Sequence, residues 1–190
     1  MTSQEMAFLI HFIGDIHQPL HAAEDADRGG NCDLFAPASL EPNSTAPQAA
    51  HHSLNLHSFW DEDTVDAVIA AHGSEKSTAI ALEHQAGPVD TGTPETWAKE
   101  SNDLARSIIY GELGLPIRTS AKIGQCNADV EATTSQTFTF NAPSYLLKHE
   151  HQIEIQLIRA GARLANELAS TCGASGCSGA LNRLPPAKVQ

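Results

Sequence analysis

EMAFLIHFIGDIHQPLH, residues 5–21, is the stretch that decides the fold. Residues 5–17 are apolar on most sides and bounded by polar residues, a length and pattern that predict a buried helix. Pro19 clashes with the preceding turn and restricts Gln18, so the helix is expected to end or kink there. The stretch therefore predicts a helix followed at once by a bend.

Helical patterns continue along most of the chain, whereas strand signals are weak. Thr93-Pro94 is a strong helix start, with Thr as the N-cap and Pro in the first turn. The stretch 22–53 is turn-rich and predicts a long loop, and 114–142 has no clear pattern. We therefore predict one all-α domain over residues 1–172, with a flexible tail at 173–190. The further helices are predicted over 58–71, 75–85, 94–110 and 143–170.

The chain is acidic, with a formal net charge of -12 over 190 residues. A protein that binds nucleic acid through its general surface is basic, so this surface would repel a phosphodiester backbone. Any action on phosphates therefore needs a local source of positive charge, and bound divalent metal is the obvious source. No apolar run approaches the 18 residues that a membrane span requires.

Two His-x-x-x-Asp pairs, His11/Asp15 and His57/Asp61, supply donors for such a metal. Residues four apart on a helix project from one face, so an imidazole nitrogen and a carboxylate oxygen can reach one ion. His21 follows the proline bend and can turn back toward the same cavity. A lone His11 could equally be a core histidine, but Asp15 in an apolar helix is costly to bury without a partner. We therefore predict a site of nitrogen and oxygen donors, suited to hydrolytic zinc.

The strings HFIGDIHQPLH (11–21), GGN (29–31) and NLHSFWD (55–61) resemble, in order and wording, the zinc-dependent single-strand nucleases of the nuclease S1/P1 family. WAKES (97–101) and QLIRAGARLA (156–165) look like later segments of that family. The resemblance covers about residues 5–168, with 36–52 read as a local insertion. It implies a helical domain of the kind shared by these nucleases and the zinc phospholipases C.

The resemblance also implies roles for individual residues. The family binds three zinc ions, and at least one is expected here. Asp15 matches a carboxylate that bridges two zincs, and as a catalytic residue it would orient the nucleophilic water. Asn31 matches a position that lines the substrate cleft. The implied zinc ligands are His11 at the first zinc, Asp15 at the closer pair, and His21, His57 and Asp61 at the separate zinc.

Family members have an N-terminal half that supplies further ligands, and those ligands have no counterpart here. The chain is therefore predicted to be an N-terminally truncated form of the domain. The implied activity is endonucleolytic cleavage of single-stranded RNA and DNA to 5'-phosphorylated products, with 3'-nucleotidase activity left open. Two alternatives stay open, a non-catalytic zinc-binding remnant and a zinc phospholipase C-like phosphodiesterase. Secretion is what the resemblance to the family implies; no leader is visible in the sequence.

Several other residues receive simpler interpretations. His17 is expected to make a hydrogen bond rather than to bind metal. His149 and His151 are expected to face water, and Asp25, Asp27 and Asp33 are read as surface residues of the loop. Cys172 and Cys177 are close enough for a small disulfide loop, with unpaired thiols as the alternative. Trp60 and Trp97 are interpreted as core or cleft-wall residues.

Overall fold

A computed structural model describes residues 1–23, 27–35, 55–87, 92–115, 136–138 and 140–172. Helices dominate these residues, so the predicted all-α class is confirmed. Two three-residue strands, β1 (Asp33–Phe35) and β2 (Gln136–Phe138), pair in parallel. The helices are α1 (Ser3–His17), α2 (Leu56–Ser58), α3 (Thr64–His72), α4 (Glu75–Gln85), α5 (Pro94–Leu104), α6 (Gly111–Leu113) and α7 (Ala142–Cys172).

Irregular turns join some of these helices. A 3-10 turn, Pro19–Ala22, follows α1. A π-helical turn, Phe59–Asp63, connects α2 to α3, and a second one, Ala105–Tyr110, connects α5 to α6. The predicted helices over 58–71 and 94–110 are therefore confirmed as longer composite helices. Within the described residues, no helix combines the length and the apolar character needed to cross a membrane.

The first helix begins and ends where local chemistry requires. Thr2 caps its start: the Thr2 hydroxyl accepts from the Glu5 amide at 3.2 Å, and the Glu5 carboxylate accepts from the Thr2 amide at 2.7 Å. This capping box satisfies two amides that a helix start leaves without partners. At the other end, Gln18 is extended (ψ 117°) before Pro19, as the proline predicts. The predicted helix is thus confirmed, with its start two residues earlier.

Two predictions about the first third of the chain are wrong in part. The 22–53 stretch is not loop throughout, because β1 lies within it and pairs Phe35 with Phe138; three residues are too few for a periodic signal. The α1 helix is not buried on all sides, since Phe8 and Phe12 are 50% and 60% exposed. The 36–52 insertion and the 173–190 tail lie outside the described residues.

The main core is an aromatic cluster beneath α2 and the π-helical turn that follows it. Phe59 is fully buried and makes edge-to-face contacts with the rings of Phe35 and Phe140 at 5.8 and 5.3 Å. Tyr145 on α7 contacts Trp60 in the same way at 6.2 Å. Because Phe59 and Trp60 lie between His57 and Asp61 in sequence, their burial fixes the helix that carries both polar residues.

Hydrogen bonds from α5 and α7 hold the bend that follows α1. Ser101 Oγ donates to the Ile16 carbonyl at 2.6 Å, and Asn102 Nδ2 donates to the Ala22 carbonyl at 2.9 Å. Gln156 Nε2 donates to the His17 carbonyl at 2.8 Å. The carbonyls at a helix end have no partner within the helix, so these side chains both satisfy the helix end and fix the path of the chain toward His21.

His17 belongs to a buried polar network rather than to the metal-binding donors. Its Nδ1 donates to the Ile13 carbonyl at 2.7 Å, and its Nε2 accepts from Arg163 at 2.8 Å. The Arg163 guanidinium, 2% exposed, also bonds Glu100 and lies over the Trp97 ring. The two later segments that resemble the family therefore meet at the end of α1.

The prediction for the histidines of α7 holds for only one of them. His151 is exposed, but His149 is buried and lies 3.1 Å from the Glu112 carboxylate. Its ring also packs on Tyr145.

The reading of Asp27 and Asp33 as surface residues is wrong, because both are buried (0% and 1% exposed). Asp25 lies outside the described residues.

Replacing Phe59 by Ala is expected to lower the free energy of unfolding by about 3–5 kcal/mol, because a fully buried ring leaves a cavity. Phe8→Ala is the matched control: its half-exposed ring should change stability by less than about 0.5 kcal/mol. Urea denaturation followed by circular dichroism measures both. Equal losses in the two variants would contradict this description of the core.

The His17 network gives the metal-free protein a pH-dependent stability. Burial lowers the pKa of His17, and the nearby Arg163 charge lowers it further. The folded state therefore binds fewer protons here than the unfolded state, whose His has a pKa of about 6.5, so stability falls as pH falls below that value. His17→Gln should flatten the decline in unfolding free energy between about pH 7 and pH 5. His151→Gln, at an exposed site, should keep the wild-type slope.

Candidate metal centre

His21, His57 and Asp61 converge from two separate segments. His21 lies in the 3-10 turn after Pro19, His57 lies in α2, and Asp61 lies in the π-helical turn that follows. One ligand atom from each lies within 4.8 Å of the others, so the three side chains could hold a metal ion. The two imidazole rings stack, with centroids 4.8 Å apart and planes 14° apart.

The Asp61 carboxylate is the meeting point of the two histidines. His21 Nε2 lies 3.1 Å from Oδ1, and His57 Nε2 lies 3.3 Å from Oδ2. Burial alone would raise the pKa of Asp61, but hydrogen bonds from His21, His57 and Gln18 outweigh it and hold the pKa far below its usual range. Asp61 is therefore ionised at neutral pH.

The remaining ring nitrogens determine which atoms face the carboxylate. His57 Nδ1 lies 2.7 Å from the Gly29 carbonyl, which only accepts, so this nitrogen carries the proton. A neutral His57 then directs the Nε2 lone pair at a carboxylate oxygen. His21 lies between two carboxylates, with Nδ1 3.5 Å from Asp15 Oδ2. A neutral His21 has one ring proton and can donate to only one of these carboxylates, and the lone pair of a neutral His57 Nε2 faces a carboxylate oxygen directly. A proton or a metal ion between these groups would relieve that repulsion.

When no metal is bound, a second proton on the His57 ring supplies part of this positive charge. Burial lowers the pKa of His57, but the Asp61 carboxylate and the Gly29 carbonyl outweigh it and raise the pKa above its ordinary value. Two imidazole nitrogens and one carboxylate oxygen are a ligand set typical of catalytic zinc, which keeps a fourth position open. The donor chemistry of the cluster therefore fits zinc.

The other pair of predicted donors lies at the edge of this cluster. His11 Nε2 is 3.2 Å from Asp15 Oδ2, and the same oxygen faces His21. His11 is 65% exposed. Within the described part of the chain, His11 and Asp15 do not form a group of three metal-binding donors. The structure thus brings all five predicted donors into one neighbourhood, but only three of them into a compact ligand set.

The Gly29-Gly30 turn supports α2, which carries His57. Gly29 and Gly30 have positive φ values of 61° and 84°, a conformation that favours glycine. Besides the Gly29 contact with His57 Nδ1, the Gly30 carbonyl accepts from the His57 amide at 3.3 Å. Asn31, the predicted substrate residue, donates from Nδ2 to the Arg28 carbonyl at 2.8 Å. Its contact with substrate stays a prediction.

Sequence reasoning missed two residues near the site. Gln18 Nε2 donates to Asp61 Oδ1 at 2.7 Å; the sequence places Gln18 in the bend but gives no sign of its contact with a residue 43 positions away. Asp27 is fully buried and accepts from the Tyr110 hydroxyl at 2.7 Å. Its charge also contributes to the raised pKa of His57. Nothing in the local sequence separates Asp27 from an ordinary loop acid.

A cavity of about 220 Å³ lies beside the cluster. Asp15, His21 and Asp61 line one part of it, while the remaining wall is mostly apolar and includes Trp60 and Leu157. Trp60 is 4% exposed, which agrees with its interpretation as a wall residue. Polar donors beside an apolar wall are typical of small-molecule sites.

Comparison with known proteins identifies the family. The model of the family described as S1/P1 Nuclease matches residues 1–172. The chain belongs to the S1/P1 nuclease family. Its relatives include Endonuclease 5 of Arabidopsis thaliana, 23% identical over 168 residues, which are 87% of this chain and 50% of that protein.

Endonuclease 2 of the same plant is 34% identical over 68 residues, 36% of this chain and 19% of the relative. Endonuclease 4 is 26% identical over 124 residues, 57% of this chain and 38% of the relative. The chain spans half or less of the length of these curated relatives. No solved structure matches it significantly.

Cys32 is buried and lies just before β1, and Cys172 is the last residue of α7. The predicted Cys172–Cys177 pairing stays a prediction, because Cys177 lies outside the described residues.

Gly29→Ala is expected to disturb the site, since a Cβ at this position would lie 2.5 Å from the Leu20 carbonyl oxygen and 3.5 Å from His57 Nδ1. Gly73→Ala is the matched control, because Gly73 has φ 86° and open space around its Cβ position. Both variants should lose about 1–2 kcal/mol from the left-handed backbone. Only Gly29→Ala should lose more than this and also bind zinc more weakly, as measured by chelator competition. Equal zinc affinities would contradict the role given to the turn.

Proposed function

We propose that this protein is a zinc-dependent endonuclease that hydrolyses phosphodiester bonds of single-stranded RNA and DNA. Family membership over residues 1–172 supports the nuclease class. The observation that carries the zinc dependence is the convergence of His21, His57 and Asp61 within 4.8 Å. We further propose 5'-phosphorylated products and 3'-nucleotidase activity, in keeping with the family resemblance.

The proposed zinc ligands are His21 Nε2, His57 Nε2 and the Asp61 carboxylate. Zinc bound there would supply Lewis-acid polarisation of a phosphate and a water that loses its proton near neutral pH. The protein's part is to hold His57 by the Gly29 carbonyl, which leaves Nε2 free to bind a cation. Asp15, beside His21, is proposed to hold further metal with His11 and to orient the attacking water.

Local positive charge at this cluster also accounts for how an acidic protein could accept a polyanion. The chain has 11 Lys and Arg residues against 23 Asp and Glu, so general electrostatic attraction to a phosphodiester backbone is unfavourable. A divalent cation changes the local sign where the substrate would bind. Recognition is then confined to the site and its 220 Å³ cavity. Asn31, in the adjacent turn, is proposed to contact the substrate.

A second candidate function is zinc binding without turnover. The specific observation in its favour is that His11 and Asp15 belong to no compact group of three metal-binding donors among the described residues. In this case the zinc ion at His21, His57 and Asp61 would be bound, whereas the pair of zinc ions that the resemblance implies at His11 and Asp15 would be absent. Secretion is also proposed, in keeping with the family resemblance.

His57→Ala is expected to abolish zinc binding at the cluster and cleavage of single-stranded RNA, because it removes one of three ligands. His84→Ala, at an exposed position near the end of α4, is the matched control and should retain both. Zinc per chain is measured by mass spectrometry after metal exchange. Cleavage is measured with single-stranded RNA, single-stranded DNA, duplex DNA and phosphatidylcholine, each with and without chelator.

The possible outcomes separate the candidates. Chelator-sensitive loss of single strands alone supports the nuclease. One zinc per chain with no turnover supports the non-catalytic candidate, and release of phosphocholine supports a phospholipase instead. Unchanged metal content in His57→Ala would refute the ligand assignment itself.

A further inference from the structure

Gln18 connects the bend after α1 to the metal-binding cluster. Its Nε2 donates to Asp61 Oδ1 at 2.7 Å, and its Oε1 accepts from the Leu20 amide at 2.5 Å. The side chain is half-buried in the wall of the 220 Å³ cavity. One amide group thus joins two parts of the site that are 43 residues apart in sequence.

The two contacts of Gln18 fix the direction of its amide. The Leu20 N–H can only donate, so the group facing it must be the carbonyl oxygen, and the NH₂ group is left to face Asp61. The reverse orientation would place two donors together at Leu20 and two acceptors together at Asp61. The donor at Asp61 is therefore set by the backbone of the bend and not by chance rotation of the amide.

The Gln18 contact also distinguishes the two oxygens of Asp61. Oδ1 interacts with Gln18 and lies near His21, whereas Oδ2 lies near His57. A carboxylate attached through a single bond can rotate, and rotation would change which oxygen each histidine faces. A hydrogen bond at one oxygen opposes that rotation. It also satisfies lone pairs that the metal would not use.

We propose that Gln18 is a positioning residue that holds the Asp61 carboxylate in the orientation required to bind a metal ion. The inference rests on the proposed function, since it concerns the same cluster. Hydrogen-bond partners of metal ligands typically contribute 10–100-fold to metal affinity. Gln18 itself contributes no donor atom to the ligand set.

A variant pair separates positioning from folding. Gln18 is also the N-cap of the 3-10 turn, through its contact with the Leu20 amide. Gln18→Asn should retain that cap, because Asn is a strong N-cap residue, but it is one methylene too short to reach Asp61. Gln18→Met removes both contacts. Gln85→Asn, at an exposed position at the end of α4, is the matched control.

The experiment measures zinc affinity by competition with a chromophoric chelator, and the visible absorption of the Co²⁺-substituted protein. Gln18→Asn should bind zinc about 10-fold or more weakly and shift the Co²⁺ bands, with a smaller loss of metal-free unfolding free energy than Gln18→Met. Gln18→Met should show the same weakening together with lower stability. Gln85→Asn should match wild type in all three measurements.

Zinc affinity and Co²⁺ bands of Gln18→Asn identical to wild type would overturn the inference. If His57→Ala has lost its zinc in the same series, the metal site stands and only the role of Gln18 fails. If the wild-type protein binds no zinc, the proposed function fails and the inference fails with it.

Discussion

The arrangement of the site depends on one electrostatic constraint: two imidazoles direct nitrogen atoms at the two oxygens of a single carboxylate. The Gly29 carbonyl accepts a hydrogen bond from Nδ1–H of His57, so Nε2, which faces Asp61, carries a lone pair in the neutral ring. Two acceptors repel one another at the 3.3 Å that separates His57 Nε2 from Asp61 Oδ2 unless positive charge lies between them. A divalent ion supplies that charge and agrees with the ligand chemistry of zinc.

The rest of the fold serves to keep these donors together. Ser101, Asn102 and Gln156 hold the carbonyls on either side of the bend, so His21 is directed back toward the second helix. The buried ring of Phe59 anchors the helix that carries the other two donors. Asp61 itself lies in a π-helical turn, an irregularity that is frequent at functional sites.

The sequence was sufficient for most helices and for the placing of the predicted donors near one another, because both depend largely on local spacing. Pro19 marks the end of α1, and His-x-x-x-Asp places two donors on one helical face. It was insufficient where the partner is distant in the chain. The burial of Asp27 by Tyr110 and of His149 beside Glu112 arises from tertiary packing, and three-residue strands are too short to show a period. Gln18 lies within the motif of residues 11–21, but its contact with Asp61 can be seen only in the folded structure.

Anomalous diffraction at the zinc absorption edge, from crystals of the zinc-loaded protein, would reveal whether these three side chains bind one ion. We expect a peak about 2.0–2.2 Å from His21 Nε2, from His57 Nε2 and from an oxygen of Asp61. A zinc peak elsewhere on the chain, with these three side chains bound to no metal, would contradict it.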